Sequence, residues 1–225
     1  MPIYKKVNKD FFKKWTSEMA YVLGFFAADG YITVNKRGAS FWSIQITDKD
    51  LLYKIRDCIE SEHKISERVG KGNEKNLYRL QIGSYEMCAD LNKLGYRQNK
   101  TKSLFLPNVP DKYFSHFVRG YFDGDGNVWM GYLHKNRPKP DLVIFTAFTS
   151  CSLDFLLALK DRLNVVGLIG GSVIKNKQNY CRLSFSTKNT LKLFKFMYNS
   201  IDLKKDGLFL KRKLAVFERF EKTRA

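Results

Sequence analysis

The sequence predicts an α+β protein made of two pseudo-symmetric halves, each in αββαββα order with a four-stranded antiparallel sheet. Three observations predict this fold: an internal repeat, segments of alternating apolar and polar residues, and apolar stripes at helical spacing between them. Each half is then helix, hairpin, helix, hairpin, helix. We expect the helices to cover one face of each sheet and to leave the other face open.

The internal repeat is the strongest of these signals. Residues 21–30 are YVLGFFAADG and residues 117–126 are FVRGYFDGDG, so both copies end in a small residue followed by Asp-Gly. Small residues also recur four positions apart in each copy, which places them on one face of a helix and lets two backbones approach closely. These pairs are Gly24 with Ala28 and Gly120 with Gly124. We therefore predict two helices that pack on each other.

The segments after each copy match as well. Residues 31–47 alternate around a Lys-Arg-Gly turn, and residues 127–149 do so around a longer loop with proline, as is typical of hairpins. The helix predicted next carries one apolar stripe in each half: Leu51, Leu52, Ile55 and Ile59, then Leu153, Leu156, Leu157 and Leu163. The predicted boundaries are 1–100 for the first half, 101–112 for a linker with two prolines, and 113–225 for the second half.

The charge balance indicates a polyanionic partner. The chain has 225 residues, with 40 Lys plus Arg against 22 Asp plus Glu, a net charge of +18. Nucleic acid and a membrane surface both fit this excess, and a merely solubilising surface is the plainer alternative. Because the excess comes with 15% aromatic residues and strand-like segments, it favours nucleic acid. No apolar run has the length of a membrane span, so we expect no membrane partner.

The cysteines and histidines favour neither disulfides nor zinc. Cys58, Cys88, Cys151 and Cys181 are far apart in sequence and lie in apolar patterns, so we expect buried, reduced thiols in a reducing compartment, the cytoplasm of a prokaryote or an organelle. The histidines form no ligand-spaced cluster. The basic N-terminus has no apolar core, so we expect no signal peptide; a basic organellar transit segment is the alternative, against which Asp10 and the few serines argue.

Asp29 and Asp125 stand at the predicted C-terminal ends of the paired helices. A helix C-terminus is already partly negative, so two carboxylates side by side are unfavourable without a cation. Each could instead cap a turn before glycine, but two in register beneath a close helix pair favour a metal site. Oxygen ligands suit Mg²⁺, and such a site supports phosphodiester hydrolysis.

YVLGFFAADG and FVRGYFDGDG resemble the two signature motifs of the LAGLIDADG homing endonucleases in their single-chain form. The resemblance covers nearly the whole chain, because the predicted hairpins and helices between the motifs also match. It implies a saddle-shaped pair of sheets in the DNA major groove and cleavage of both strands across the minor groove, at the centre of a long, partly asymmetric site. The chain departs from the motif at Ala27, where the second copy has Asp123, so we expect unlike halves.

The resemblance also implies site residues. The catalytic acids fall on Asp29 and Asp125, and backbone carbonyl ligands on Ala28 and Gly124, with Mg²⁺ as cofactor and Mn²⁺ or Ca²⁺ as substitutes. A polar residue after the second strand falls on Asp48, which could equally cap a helix, and on Ser150 in the second half. The basic residues near the scissile phosphates fall on Lys100 or Lys102 and on Lys211 or Lys213, of which Lys100 and Lys211 are the predicted pair.

Strand alternation predicts which side chains leave the core and face DNA. Ile32, Val34 and Trp42 are expected to point inward, which turns Arg, Lys, Asn and Gln outward, the residues that recognise base edges. A solvated sheet face is the plainer alternative, but few glutamates occur here. The predicted contacts are Tyr31, Thr33, Asn35, Arg37, Ser43, Gln45, Arg68, Arg79 and Gln81, then Asn127, Trp129, Lys175, Lys177, Arg182 and Ser184.

The favoured function is a site-specific double-strand DNA endonuclease that acts as a monomer without a protein partner. One alternative is a maturase of the same fold, which binds intron RNA and assists splicing without cutting DNA; the presence of both acids favours the nuclease. A DNA-binding regulator is expected to add a helix-turn-helix region, and an intein to add protein-splicing segments. We expect neither in a chain of 225 residues.

Overall fold

The structure is a computed structural model that describes residues 5–176, with only the backbone of Lys102, and residues 179–199 and 207–224. The first half contains α1 (Ser17–Asp29), β1 (Gly30–Val34), β2 (Ser40–Ile46), α2 (Lys49–Cys58), β3 (Ser66–Arg68), β4 (Leu77–Gly83) and α3 (Tyr85–Lys93), followed by a 3-10 turn at Lys100–Lys102. The second contains α4 (Asp111–Asp125), β5 (Gly126–Leu133), β6 (Asp141–Ser150), α5 (Leu153–Val165), β7 (Ser172–Lys175), β8 (Cys181–Phe185), α6 (Thr187–Tyr198) and α7 (Lys211–Arg224). The predicted α+β fold of two αββαββα halves is confirmed.

The two sheets have the same topology. Their strand orders are β1-β2-β4-β3 and β5-β6-β8-β7, and all pairs are antiparallel. Gly30 pairs with Ile44 in the first sheet, and Gly126 pairs with Phe148 in the second. Because both glycines are the last residue of the repeated motif, this shared register defines which residues of the two halves are equivalent.

Local signals explain where several helices begin. The side chains of Thr16, Asp48, Ser84 and Ser152 each accept a hydrogen bond from a backbone N–H three residues on, at α1, α2, α3 and α5. Such caps satisfy donors that the first turn of a helix leaves free. Both motif helices end where the N–H of the following glycine bonds back to Phe26 or Phe122.

The core lies between the helices and one face of each sheet. The predicted stripe of α2 is confirmed, since Leu51, Leu52, Ile55 and Ile59 are buried. The stripe predicted for α5 is wrong in part: Leu153 and Leu157 are each 41% exposed, and Phe155 and Leu159 are buried instead. Ser152 starts this helix, and the buried face runs through Phe155, Leu156, Leu159 and Leu163 at helical spacing.

The connection between the halves is packed against the core. Residues 103–110 have no helix or strand, yet Leu104 and Val109 are buried, and α4 begins at Asp111. Arg162 donates to the Val109 carbonyl and the Asp111 carboxylate. These contacts hold the connection at the start of the second half.

The described residues also test what the sequence predicted about the cysteines and about membrane-spanning helices. All four cysteines are free, but Cys151 is exposed and Cys58 half-buried, so the prediction of four buried thiols is wrong for these two. Cys151 directly follows the last residue of β6, where the chain turns toward α5. Within the described ranges, every helix is too short or too polar to cross a membrane.

Candidate active site at the junction of the halves

The two motif helices cross in direct backbone contact. A Cβ atom on Gly24 would lie 2.1 Å from the carbonyl oxygen of Phe117, and one on Gly120 would lie 2.0 Å from that of Tyr21. One turn further on, a Cβ on Gly124 would lie 2.3 Å from the Cβ of Ala28. The predicted close packing of the small faces is confirmed, and it joins the two halves.

Asp29 and Asp125 are the last residues of α1 and α4, so the crossing brings both carboxylates to one end of the helix pair. Burial, followed by repulsion from Asp125, raises the pKa of Asp29 to about 6. Burial also raises the pKa of Asp125, against the opposing effect of Lys100 and Lys213. Both shifts show that carboxylate charge is costly at this end of the pair, where a bound cation would offset it.

Two clefts flank the acids. The first, of about 290 Å³, is lined by residues that include Asp29, Gln45, Asp48 and Arg212. The second, of about 270 Å³, is lined by residues that include Lys100, Asp125, Thr149, Ser150 and Cys151. By the shared register Gln45 is equivalent to Thr149. The clefts are therefore pseudo-symmetric, and each combines an acid of one half with a cation of the other.

Two buried lysines hold the carbonyl ends of the motif helices. Lys100 Nζ donates to the Ala27 carbonyl at 2.8 Å. Lys213 Nζ lies within hydrogen-bond distance of the carbonyls of Phe122, Asp123, Gly124 and Gly126. Burial lowers the pKa of each lysine to about 8. Lys213 therefore stands where Lys100 stands in the first half. Lys211 is exposed at the start of α7, and its role near a scissile phosphate stays a prediction.

Asp48 has the capping role that was its plainer alternative, and it also lies in the cleft of Asp29. Its carboxylate accepts from Leu51 N at 3.3 Å. The equivalent residue of the second half is Ser152, not Ser150, because the shared register and the helix caps both pair Asp48 with Ser152. Ser152 is buried and donates to the Leu104 carbonyl. The second cleft therefore has no carboxylate at this position.

A buried polar cluster lies behind the acids and was not predicted. The Tyr21 hydroxyl donates to Asp123 Oδ2 at 2.7 Å, and Leu210 N donates to the same oxygen at 2.9 Å. Burial raises the pKa of Asp123. Arg119, also buried, donates to the carbonyls of Leu208 and Met197. Asp123 thus ties the start of α7, and with it Lys213, to α4, whereas Ala27 cannot do so in the first half.

The donors near the acids fit a hard divalent cation that keeps water or phosphate ligands. In the described chain no cluster of three or more His, Cys, Asp or Glu side chains could hold a metal. Two carboxylates can still hold Mg²⁺, which commonly binds one or two carboxylates and completes its shell with water and substrate phosphate. Lys213 contacts the Gly124 carbonyl at 3.4 Å. Ligation by that carbonyl and by Ala28 stays a prediction.

The open face of each sheet is the one opposite the helices, and the register assigns side chains to it. In the first half, Arg68, Arg79 and Gln45 are exposed there, and Gln81, Tyr31 and Thr33 are half-buried. Ser43 lies on this face but is buried, so its prediction as an accessible contact is wrong. Val34, expected inside, is 48% exposed at the end of its strand. The Asn35 side chain accepts from the N–H groups of Arg37 and Ala39 and so shapes the turn.

The second half differs in its outer strand. Asn127 and Trp129 are exposed on the open face, and Arg182 and Ser184 are half-buried there. Lys175 pairs with the buried Cys181 and thus lies on the helix side, so its placement on the open face was wrong; Ile174 occupies that face instead. Lys177 lies outside the described residues.

Comparison with known proteins gives the same fold. Residues 16–94 match the model of the LAGLIDADG-like domain. Two proteins of Methanocaldococcus jannaschii are each 24% identical over 183 residues: a replication factor C small subunit, with 80% of this chain and 9% of that protein covered, and an uncharacterized protein, with 79% and 64% covered. The chain therefore spans less than two thirds of either relative.

Solved meganuclease structures match almost end to end. The K262A mutant of I-SmaMI has a TM-score of 0.63 at 13% identity, with 92% of this chain and 90% of that chain covered. The LAGLIDADG meganuclease I-AabMI bound to uncleaved DNA has a TM-score of 0.61 at 17% identity, with 90% and 88% covered. The homing endonuclease I-WcaI bound to its DNA recognition sequence has the same TM-score and identity, with 92% and 91% covered. Residues 16–94 thus match a LAGLIDADG-like domain, and the chain shares the two-sheet fold of these LAGLIDADG meganuclease structures.

Proposed function

We propose that this protein is a site-specific DNA endonuclease that cuts both strands of a long recognition site with a divalent metal ion. The observation that carries this proposal is the pair of equivalent clefts, each with one acid at the end of a motif helix. Two such clefts suit two phosphodiesters, one on each strand. The net charge of +18 suits a DNA duplex, and several of the similar structures are bound to DNA.

In this proposal Asp29 and Asp125 hold the metal, with Mg²⁺ as the expected ion. An I-SmaMI structure was solved with its uncleaved DNA target in the presence of calcium ions, which fits a centre that also accepts Ca²⁺. When bound, such an ion supplies Lewis acidity and an activated water for phosphodiester hydrolysis.

The chain's own residues position the DNA and stabilise charge. Lys100 in the cleft of Asp125 and Arg212 in the cleft of Asp29 supply positive charge where the phosphate becomes more negative. The open faces hold the duplex on either side, and their Arg and Gln side chains recognise bases. Lys213 keeps the end of α4 in place rather than facing the solvent.

The test is a selection of cleaved sites from a random DNA library in the presence of Mg²⁺. We expect one long site cut on both strands, with cutting abolished and binding kept in Asp29→Asn and Asp125→Asn. Asp161→Asn, at an exposed position of α5, is the matched control and should cut normally. If the folded protein cuts no DNA but binds a structured intron RNA, the maturase function replaces this proposal. Full cutting by both motif variants would refute the metal site.

A further inference from the structure

The β5–β6 hairpin carries an apolar surface on the open face of the second sheet. Trp129 pairs with Phe145, and Gly131 with Val143. The rings of Trp129 and Phe145 are stacked with centroids 6.1 Å apart. The indole lies over Gly131, where a Cβ would come within 2.5 Å of it. Together with Leu133 on the same face, these residues form what we call the apolar platform.

The platform belongs to the second half alone. By the shared register, Trp129 is equivalent to Thr33, Gly131 to Asn35 and Leu133 to Arg37. In the first half the strands have already ended there, since β1 and β2 have 5 and 7 residues, whereas β5 and β6 have 8 and 10. The longer hairpin therefore replaces polar positions with exposed apolar area, and Trp129 is 48% and Leu133 38% exposed.

The surroundings of the platform favour DNA as its occupant. It continues the face on which Asn127, Thr149 and Arg182 lie, and Thr149 lines the cleft of Asp125. The loop beyond it exposes Lys135 and Lys139, which suit a polyanion better than an apolar protein surface. In the major groove, the apolar group that a base pair offers is the 5-methyl group of thymine.

We propose that the second half recognises the outer base pairs of its half-site by contact between the apolar platform and thymine methyl groups. The first half recognises its bases through hydrogen bonds from Arg68, Arg79 and Gln45. This inference rests on the proposed function, because it takes DNA to be the ligand of both open faces. It makes the target chemically asymmetric, with methyl contacts on one side and polar contacts on the other.

The test compares thymine with deoxyuridine, which lacks only the methyl group, in the target obtained by selection. Deoxyuridine replaces thymine in one half-site at a time, and binding is measured by fluorescence anisotropy. We expect a loss of about fourfold in affinity for each contacted methyl group in the half-site of the second half. The same exchange in the other half-site should change affinity less than about twofold.

Protein variants identify the contacting residues. Trp129→Ala should weaken binding to the thymine target and leave binding to the deoxyuridine target unchanged, so that the discrimination disappears. Leu133→Ala, at the exposed end of the strand, should do the same to a smaller degree. Tyr85→Ala, which removes an exposed aromatic ring at the start of α3, is the matched control and should keep the full discrimination. Thermal melting checks that each variant is folded.

The outcomes separate the two proposals. If the folded protein selects no DNA, the endonuclease proposal fails and this inference fails with it. If a target is selected and cut but deoxyuridine has no effect, or an equal effect in both half-sites, only this inference is wrong. If Trp129→Ala binds both targets as tightly as the unmodified protein does, the platform serves another ligand. If the variant binds both targets equally more weakly, Trp129 has a purely structural role.

Discussion

Gly24 and Gly120 face each other across the crossing of α1 and α4, where a Cβ on either would lie within 2.1 Å of a carbonyl oxygen of the other helix. No side chain can occupy either position without moving the backbones apart. The same helices end in Asp29 and Asp125. The separation of the two halves and the spacing of the two acids are therefore set by one contact.

We expect Gly24→Ala to destabilise the protein by about 3 kcal/mol, because the added methyl group meets backbone atoms that cannot rotate away. Urea unfolding measures the free energy, and cleavage of the selected target should fall with it. Lys112→Ala, at an exposed position of α4, is the control and should change stability by less than about 0.5 kcal/mol. A Gly24→Ala protein as stable as the control would contradict the tight crossing.

In a metal chelator, we expect Asp29→Asn to raise the stability at neutral pH. The folded-state pKa of Asp29 is raised to about 6, so between the ordinary value and about 6 the folded protein binds more protons than the unfolded chain. Its stability therefore falls as the pH rises through this window. Asp29→Asn avoids that loss. Above this pH window, its free energy of unfolding should exceed that of the unmodified protein by about 1–3 kcal/mol.

Melting temperatures with and without Mg²⁺ complete this test. The ion should stabilise the unmodified protein and have little effect on Asp29→Asn, because the variant has lost a ligand. Asp161→Asn, with an exposed carboxylate, should respond to pH and to Mg²⁺ as the unmodified protein does. A variant that is less stable than the unmodified protein in chelator would contradict the unfavourable acid pair.

Lys213 and Lys100 should differ in their structural importance. Lys213→Met leaves the carbonyls of Phe122, Asp123, Gly124 and Gly126 without their ammonium donor, and we expect a loss of about 3 kcal/mol. Lys100→Met removes the hydrogen bond to the Ala27 carbonyl, and we expect it to lower the free energy of unfolding by about 1 kcal/mol. The exposed Lys211→Met is the neighbouring control, with a change below about 0.5 kcal/mol.

Nicking assays on the selected target add a functional measurement to these lysine variants. Because Lys100 lines the cleft of Asp125, its loss should slow one strand more than the other. Equal slowing of both strands by Lys100→Met would argue against separate clefts.

Tyr21→Phe should lower the free energy of unfolding by about 1–3 kcal/mol, because it removes the hydroxyl that donates to the buried carboxylate of Asp123. That hydrogen bond lowers the pKa of Asp123, against the raising effect of burial. Without it the pKa rises further, so the loss of stability should grow as the pH rises and Asp123 is forced to ionise. Tyr85→Phe, whose ring is 76% exposed, is the control. An equal loss at all pH values would show that Asp123 does not change its protonation state in the folded protein over that range.

The sequence by itself determined the duplicated architecture, because a repeated pattern of helix, hairpin, helix, hairpin, helix follows from local periodicity. It also determined where the two acids lie, since Asp29 and Asp125 hold the same position, just before the final glycine, in two copies of one local motif. The small faces of those helices, Gly24 with Ala28 and Gly120 with Gly124, predicted that the two helices pack together.

Only the tertiary structure decided which residues from distant segments share a site. The contact of Lys213 with the end of α4 follows from where α7 docks, and the equivalence of Ser152 with Asp48 follows from strand register. Neither has a strong local signal. The buried contact of Tyr21 with Asp123 joins residues 102 positions apart. A slip of one residue reverses every side chain of a strand, which is why Lys175 was placed on the wrong face. A local motif can be recognised from the sequence alone. Contacts between residues on either side of the junction form only when both halves are folded and packed together.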